Sequence, residues 1–421
     1  MGFSFAFLIL LVYNKVMKFK KFIVFPLCLA AMCLAAMCLA ACGSTENNGS
    51  SNTDGMIFYT NIPQDKFTLL DDSFTLGEII GGYEGNPTVQ VPSIDITDYS
   101  QRTVPMYYMN ADAVLLVQDN FTKEGAEDKF VSFRDEVRDL LSNINKSLSV
   151  TVEDSDIDRF NKKYAGGEIE VSQVTYEVLS LAKQVFEFTD GSYNPALYYN
   201  IQAYGFGGAL IYPQTKAELP EDGDILKYTS LASHFGEITF REEEGKYFVT
   251  KPTATVEVGG EVLTMKLDLG GIGKGYAVDK VDELFDKYGY EYGYFNFALS
   301  SMLVKSHAKF GAFNLSFINP RSLARDAYMS VEVQNEKFST SGDYDQYYTI
   351  DGTRYCHIIS PVTGKPIQTG IMSVTLIGGS AAEDDALTTA IMCMEKDDAV
   401  SFIREKLTDR RVTFTYKKDV A

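Results

Sequence analysis

The stretch Leu267–Asp279 reads LDLGGIGKGYAVD, and its reading decides the fold. Leu267–Leu269 ends a predicted strand. Gly270, Gly271 and Gly273 make a turn, and a helix is expected from about Lys274, with Ala277, Val281, Leu284 and Phe285 on one face. A P-loop needs Ser or Thr after its Gly-Lys pair, and here Gly275 follows Lys274. A dinucleotide fingerprint needs a third glycine where Tyr276 stands. What remains is more general physics. Glycines let backbone N–H groups approach an anion, and a helix N-terminus favours negative charge. A phosphate cradle and a plain strand-to-helix turn both fit the stretch.

On either side, 107–118 (YYMNADAVLLVQ) reads as a strand, and 129–149 as a helix with Phe130, Phe133, Val137, Leu140 and Leu141 at helical spacing. Val174, Val178, Leu181 and Val185 mark a second helix within 171–191. Short strands fill 237–269, with turns at Glu243–Lys246 and Gly259-Gly260. Further strands are expected at 292–299, 329–335, 348–351, 354–359 and 372–379, and helices at 382–394 and 397–407. Helices and strands do not alternate regularly, so the class is α+β, with mixed or antiparallel sheets and packed helices. No internal repeat is present.

The chain has 421 residues, 45% hydrophobic and 23% charged, ordinary for a globular protein. Its net charge of −19 excludes nucleic-acid binding through a general electrostatic field. Any anionic ligand must be held by local groups or by a metal.

From Met17 the sequence reads MKFKKFIVFPLCLAAMCLAAMCLAACGS. A basic start, an apolar run and Leu39-Ala40-Ala41-Cys42 resemble a bacterial lipoprotein signal, with cleavage before Cys42 and lipid on its thiol. An uncleaved membrane anchor is the alternative. Residues 1–16 are a possible upstream extension. Removing 1–41 takes away four lysines and no acids, which moves the charge from −19 to −23. The expected location is extracytoplasmic, lipid-anchored to the bacterial cell membrane. Residues 42–55 are a polar tether, 56–104 an extension without an assigned role, and 105–421 the main folded domain. Cys28, Cys33 and Cys38 fall in the signal, which leaves Cys356 and Cys393 as expected buried free thiols.

Several short clusters carry possible chemistry. In AEDDALTTA, Asp385 and Thr389 are four apart on a predicted helix and share a face. They are hard oxygen ligands suited to Mg²⁺, or Asp385 serves the helix dipole alone. His357, in YCHIISPVTGKP, is one of three histidines and stands beside a tight loop. It is either a general base or phosphate contact, or a histidine satisfied at a strand end. Thr340–Tyr344 (TSGDY) reads as a turn. Residues 154–161 (DSDIDRFN) read as a helix start, and 189–197 (TDGSYNPAL) as a glycine turn.

In their order these segments resemble the bacterial FAD:protein FMN transferase family, also called ApbE. They run from Ser149–Asn161 and Thr189–Pro195 through Asp268–Asp279 and Thr340–Tyr344 to His357–Pro366 and Asp385–Ala390. The resemblance covers about three quarters of the chain, from roughly Pro105 onward. It implies an ApbE-like fold with a flavin nucleotide cleft, and Mg²⁺-dependent transfer of FMN from FAD to a Thr or Ser hydroxyl of an acceptor flavoprotein, with release of AMP. The implied partners are FAD and an acceptor with an FMN-binding domain, such as an electron-transfer subunit or extracytoplasmic reductase. By the same resemblance Asp268 and Lys274 contact FAD, and the Gly271 carbonyl, Asp385 and Thr389 hold the metal. Met109, Thr151 and the Ser192-Tyr193-Asn194 triplet lie at the flavin. His357 lies near the phosphates and is the candidate base, so His357 and Asp385 form the expected catalytic pair.

The sequence departs from the family pattern at several places. Met109-Asn110-Ala111 replaces M-G-T, and Thr151 stands where an aromatic is common. Asn194 replaces an Asp of the triplet, Ser360 replaces an Asp, Val362 replaces a basic or polar residue, and Ser300-Ser301 replaces a Gly-Gly pair. These departures leave two other readings open: an FAD pyrophosphatase, and a non-catalytic flavin-binding lipoprotein.

Overall fold

Alternating apolar side chains at Val104 and Met106, and at Ala113, Leu115 and Val117, are buried on one face of a strand pair, as a period of two requires. The protein is described here by a computed structural model covering residues 56–417, apart from 82, 86–88, 92–95 and 208–217. The proposed signal 1–41, Cys42 and the tether 42–55 lie outside the described residues.

That strand pair forms one edge of a nine-stranded sheet. In spatial order its strands are Phe74–Ile79, Met56–Thr60, Arg411–Lys417, Ile371–Ile377, Glu336–Gly342, Ser301–Val304, Gly293–Phe297, Ala111–Asp119 and Ser100–Tyr108. Neighbours pair antiparallel except Met56–Thr60 with Phe74–Ile79, which are parallel. Ile371–Ile377 is buried along its whole length, as a near-continuous apolar run at mid-sheet should be.

Three helices cover one face. Gly273–Tyr288 packs on the Gly293–Phe297 and Ser301–Val304 strands, and Ala381–Met392 packs on Glu336–Gly342 and Ile371–Ile377. Ala126–Leu148 lies against Gly273–Tyr288, where Phe133 meets Phe285, Tyr288 and Tyr290 edge-on or tilted. Each fully buried ring of this kind contributes about 1.5–3 kcal/mol. A second core of Phe58, Phe74, Tyr328, Met329 and Val331 is closed by a three-stranded sheet of Phe313–Ile318, Ala327–Val333 and Phe67–Leu69. The α+β expectation with antiparallel and mixed sheets holds.

Four local expectations need correction. Residues 107–118 are a hairpin, not one strand: Met109 and Asn110 turn the chain with φ of 51° and 56°. A tight hairpin turn needs two left-handed residues, and Asn is the commonest substitute for Gly there, which explains Asn110 in place of the family's glycine. Residues 56–104 are not a separate extension. They supply three strands to the main sheet, and the boundary at Pro105 falls inside Ser100–Tyr108, an edge strand where proline is tolerated. In the turn after Gly293–Phe297 the left-handed positions are Ala298 and Leu299, with φ of 59° and 57°, so the glycine-demanding sites precede Ser300-Ser301. Finally, Leu267–Leu269 is not a strand. Its ladder partner is a side chain: Asn161 donates to the Leu267 carbonyl (3.0 Å) and accepts the Leu267 N–H (2.8 Å).

Candidate active site

Two helix N-termini cross at Gly275. A methyl there would sit 2.5 Å from the Ala381 carbonyl carbon and 2.7 Å from Ala382 Cα, so only glycine lets the backbones meet. Each helix caps the other. Asp385 Oδ2 accepts the Gly275 N–H (3.1 Å). In return, Asp279 accepts the Ala381 N–H (3.0 Å), the Ala382 N–H (2.9 Å) and the Ser380 hydroxyl (2.7 Å). A carboxylate at a helix start satisfies donors that lack intrahelical partners and meets the positive end of the dipole. Lys337 pairs with Asp279 at 2.7 Å. Arg410, itself buried, binds the fully buried Asp384 (2.6 Å) and Glu383, which holds the first turn of Ala381–Met392 from behind.

This crossing sets Gly271 beside Thr389 and holds the Asp385 carboxylate on the Gly275 N–H. A Cβ on Gly271 would lie 3.3 Å from Thr389 Oγ1 and 3.6 Å from the Tyr193 ring. The Thr389 hydroxyl contacts the Asp385 carbonyl (3.2 Å) and Ser341 Oγ (3.3 Å), and Ser341 Oγ also meets Thr388 Oγ1 (2.9 Å). TSGDY is therefore not a simple turn: Thr340 to Gly342 end a central strand, and Ser341 braces Thr389. Among the described residues no three His, Cys, Asp or Glu side chains converge as a metal cluster. The set on offer is a carboxylate, a hydroxyl and a backbone carbonyl, all hard oxygens.

Charge in the site is unbalanced. Asp385 is buried, and burial raises its pKa against the opposing pull of Lys274 and the Gly275 N–H. Burial also raises Asp268, against its hydrogen bond from Gly270 N (2.8 Å) and against Lys274. Lys274 Nζ donates to the Gly270 carbonyl at 2.7 Å, in the turn itself. His357 is pushed down to about 4 by burial and then by Lys274, so its imidazole is neutral at pH 7.

Among the described residues, two buried polar atoms here lack partners: His357 Nδ1 and Tyr193 Oη. Tyr193 is buried, and its pKa is raised by burial and by the nearby Asp385 and Asp268. Leaving such groups unpaired costs about 1–3 kcal/mol each. They cluster about one lysine, two acids and a glycine-lined turn. That is the signature of a site built for a polar ligand rather than for packing.

The remaining sequence-derived residues sit around this centre in different ways. Met109 Cε lies 2.7 Å from where a Gly273 Cβ would stand, so the hairpin tip rests on the cradle. Leu148 touches the same spot, and the exposed Thr151 lies in the loop just beyond it. Ser192 is half-buried in the turn before Tyr193. Asn194 is committed at both ends: it accepts the Ala196 N–H (2.9 Å) and donates to the Ala232 carbonyl (3.0 Å). Ser360 accepts the Val362 and Thr363 N–H groups (both 3.3 Å), which is the turn an aspartate would make. That substitution leaves the loop after His357 intact. Gly364 (φ 68°) lies flush against Asn200, whose amide donates to the Gly364 carbonyl at 3.0 Å. Asp279, Ser341 and Asn161 stood within the quoted motifs, yet only the fold shows that they position the site.

The sequence model of the ApbE family matches residues 109–414. The FAD:protein FMN transferase of Treponema pallidum (strain Nichols) is 28% identical over 288 residues, which is 64% of this chain and 74% of that protein. That of Escherichia coli K12 is 25% identical over 287 residues, 65% and 74% of the two chains. The flavin transferase ApbE from Vibrio cholerae superimposes with a TM-score of 0.61 at 22% identity, over 76% of this chain and 98% of that one. The ApbE protein of Thermotoga maritima gives 0.61 at 21% identity, over 76% and 97%. With the family pattern spanning well over half its length, and with the crossed helices it encodes, this chain belongs to the ApbE family.

Proposed function

We propose that the protein is an FAD:protein FMN transferase, moving FMN from FAD to an acceptor flavoprotein and releasing AMP. The observation that carries this reading is the convergence of Lys274, Asp385, Thr389 and the Gly271 turn on two unpartnered buried polar groups, in a chain whose curated relatives bear that name.

Phosphoryl transfer needs positioning and charge neutralisation above all. Lys274, at the positive end of the Gly273–Tyr288 helix dipole, meets the pyrophosphate oxygens. Asp385, Thr389 and the Gly271 carbonyl would hold Mg²⁺, which would supply the further positive charge that a strongly acidic protein lacks. Asp385 is already oriented by the Gly275 N–H, so little reorganisation remains when the cation binds. His357, neutral at pH 7, takes the proton from the acceptor Thr or Ser hydroxyl as its oxygen attacks the FMN phosphorus. The bond to the AMP phosphate breaks, and AMP leaves. Met109, Tyr193 and Ser192 line the flavin end, with Thr151 at its mouth, and Asp268 contacts the nucleotide beside Lys274. The departures from the family pattern cluster at this wall and bear on substrate affinity.

The N-terminal signature supports lipid attachment at Cys42 and an extracytoplasmic position. An acceptor with an FMN-binding domain is then a membrane-associated electron-transfer subunit or a reductase on that side.

The test is incubation with FAD, Mg²⁺ and a purified FMN-binding domain. Covalent flavin fluorescence on the acceptor, with equimolar AMP, is expected. Free FMN and AMP would instead mark a pyrophosphatase, and unchanged bound FAD a carrier.

A further inference from the structure

Away from the helix crossing, a cleft of about 180 Å³ opens between the 318–325 loop and the loop that leads into Tyr347–Ile350. Three arginines line it: Arg321, Arg325 and Arg354. In a chain of net charge −19 such a concentration is unusual. Asp343 takes Arg321 in a two-pronged pair (2.7 Å for both oxygens) and shares one oxygen with Arg354 at 3.5 Å. Asp345 pairs with Arg325 at 3.3 Å. Three guanidiniums thus face two carboxylates. Asp326, at the base of the loop, is taken by the Ser322 hydroxyl (2.7 Å) and does not line the cleft. Arg354 is the least compensated of the three. It lies 3.9 Å over the Tyr347 ring, and burial and the Arg321 charge both lower its pKa.

The cleft adjoins the proposed reaction centre through two segments of chain. Asp343 is two residues from Ser341, which touches Thr389. Arg354 is three residues before His357, whose N–H is bonded to the Gln346 carbonyl, between Asp345 and Tyr347 of the cleft wall. At about 3.3 Å per extended residue, the cleft lies roughly 10 Å from His357 along the chain. Leu323, at its rim, is 98% exposed.

We propose that this arginine cleft receives an acidic side chain of the acceptor protein and so sets the acceptor hydroxyl over His357. The proposal rests on the transferase reading above. The excess positive charge selects a carboxylate, the guanidinium fork suits its two oxygens, and the distance matches a few residues of extended acceptor chain. Arg321 is held by Asp343 and serves as a wall. Arg354 is the group left to bind, with Arg325 beside it on a single half-exposed pair to Asp345.

The experiment measures steady-state transfer from FAD to an FMN-binding domain for the unaltered protein, Arg325→Gln, Arg354→Gln and Arg354→Lys. Arg325 is half exposed with one ion pair, so its loss leaves the fold untouched. KM for the acceptor should rise about tenfold or more in either Gln variant, equivalent to about 1.4 kcal/mol. KM for FAD and the kcat should stay within twofold, and Arg354→Lys should recover part of the loss. An acceptor whose acidic residues near the hydroxyl are changed to amides should show no difference between the proteins. An unchanged acceptor KM in both Gln variants overturns the docking site while leaving the transferase reading standing. A parallel rise in KM for FAD overturns it in favour of a nucleotide subsite. No transfer by the unaltered protein sinks both.

Discussion

Gly275→Ala probes the helix crossing at its tightest point. The added methyl would lie 2.5 Å from the Ala381 carbonyl carbon and 2.7 Å from Ala382 Cα, both backbone atoms that cannot rotate away. Ordinary carbon contacts are about 3.5–4.0 Å, so the helices must part by roughly 1 Å. Overpacking of this kind costs about 1–3 kcal/mol, offset by up to about 1 kcal/mol from alanine's better helix propensity. The net loss of about 0–3 kcal/mol lowers Tm by up to about 4 °C, at roughly 2 cal/mol/K of unfolding entropy per residue. The larger effect is on rate. Parting the helices stretches the bond from Gly275 N to Asp385 and moves Asp385 and Thr389 against Gly271. A displacement near 1 Å in a positioned site costs about 10²-fold. Scanning calorimetry with initial rates of acceptor flavinylation tests this, alongside Gly223→Ala, whose Cβ would meet nothing within 4 Å. The control should keep full activity. Gly275→Ala working at the unaltered rate would show that the crossing does not set the site.

Asp385→Ala should lower FMN transfer at least 10²–10³-fold and abolish its Mg²⁺ dependence, read by titrating Mg²⁺ at saturating FAD; near-normal transfer would refute the metal assignment. Asn161→Ala should lower stability by about 2–4 kcal/mol in urea unfolding, because it strands the buried Leu267 N–H and carbonyl. The pH profile of kcat/KM should place the acid limb due to His357 below its ordinary 6.5, since burial and Lys274 hold it down to about 4; a limb at 6.5 or above that vanishes in His357→Gln would contradict this. Lys251, buried against the Lys163 carbonyl (2.7 Å) and Thr264 Oγ1 (3.0 Å), is pushed down to about 7 by burial and by Lys266. Between pH 7 and about 10 the unfolded chain therefore binds the extra proton. Stability should rise with pH across that window, by up to about 1.4 kcal/mol per unit, and Lys251→Met should flatten the slope.

The helices were legible because their apolar residues recur at helical spacing: Phe130, Phe133, Val137 and Leu141 all turn inward as read. The helix Ala381–Met392 that carries Asp385 and Thr389 one turn apart was legible for the same reason. What was hidden depended on contacts between distant segments. Leu267–Leu269 looks like a strand by composition, but its hydrogen bonds go to the Asn161 side chain, which no local pattern announces. The hairpin at Met109-Asn110 was missed because the apolar run continues through it. Asn110 was the available signal, as one of the few residues at ease with positive φ. Asp279 had no assigned role in the sequence, and only the arrival of Ser380–Ala382 reveals it as a cap. Residues 56–104 carried no motif, yet their strands complete the sheet, because sheet order is set by long-range pairing that sequence adjacency does not encode.

The central claim is that a divalent cation sits among the Gly271 carbonyl, Asp385 and Thr389, against the pyrophosphate held by Lys274. A crystal soaked with FAD and Mn²⁺, an anomalous scatterer that takes the same oxygen ligands, tests it most directly. The account predicts one anomalous peak within about 2.0–2.3 Å of an Asp385 carboxylate oxygen, bridged to the FAD phosphates. Ordered FAD with the peak elsewhere, or with Asp385 and Thr389 turned away from it, would contradict it.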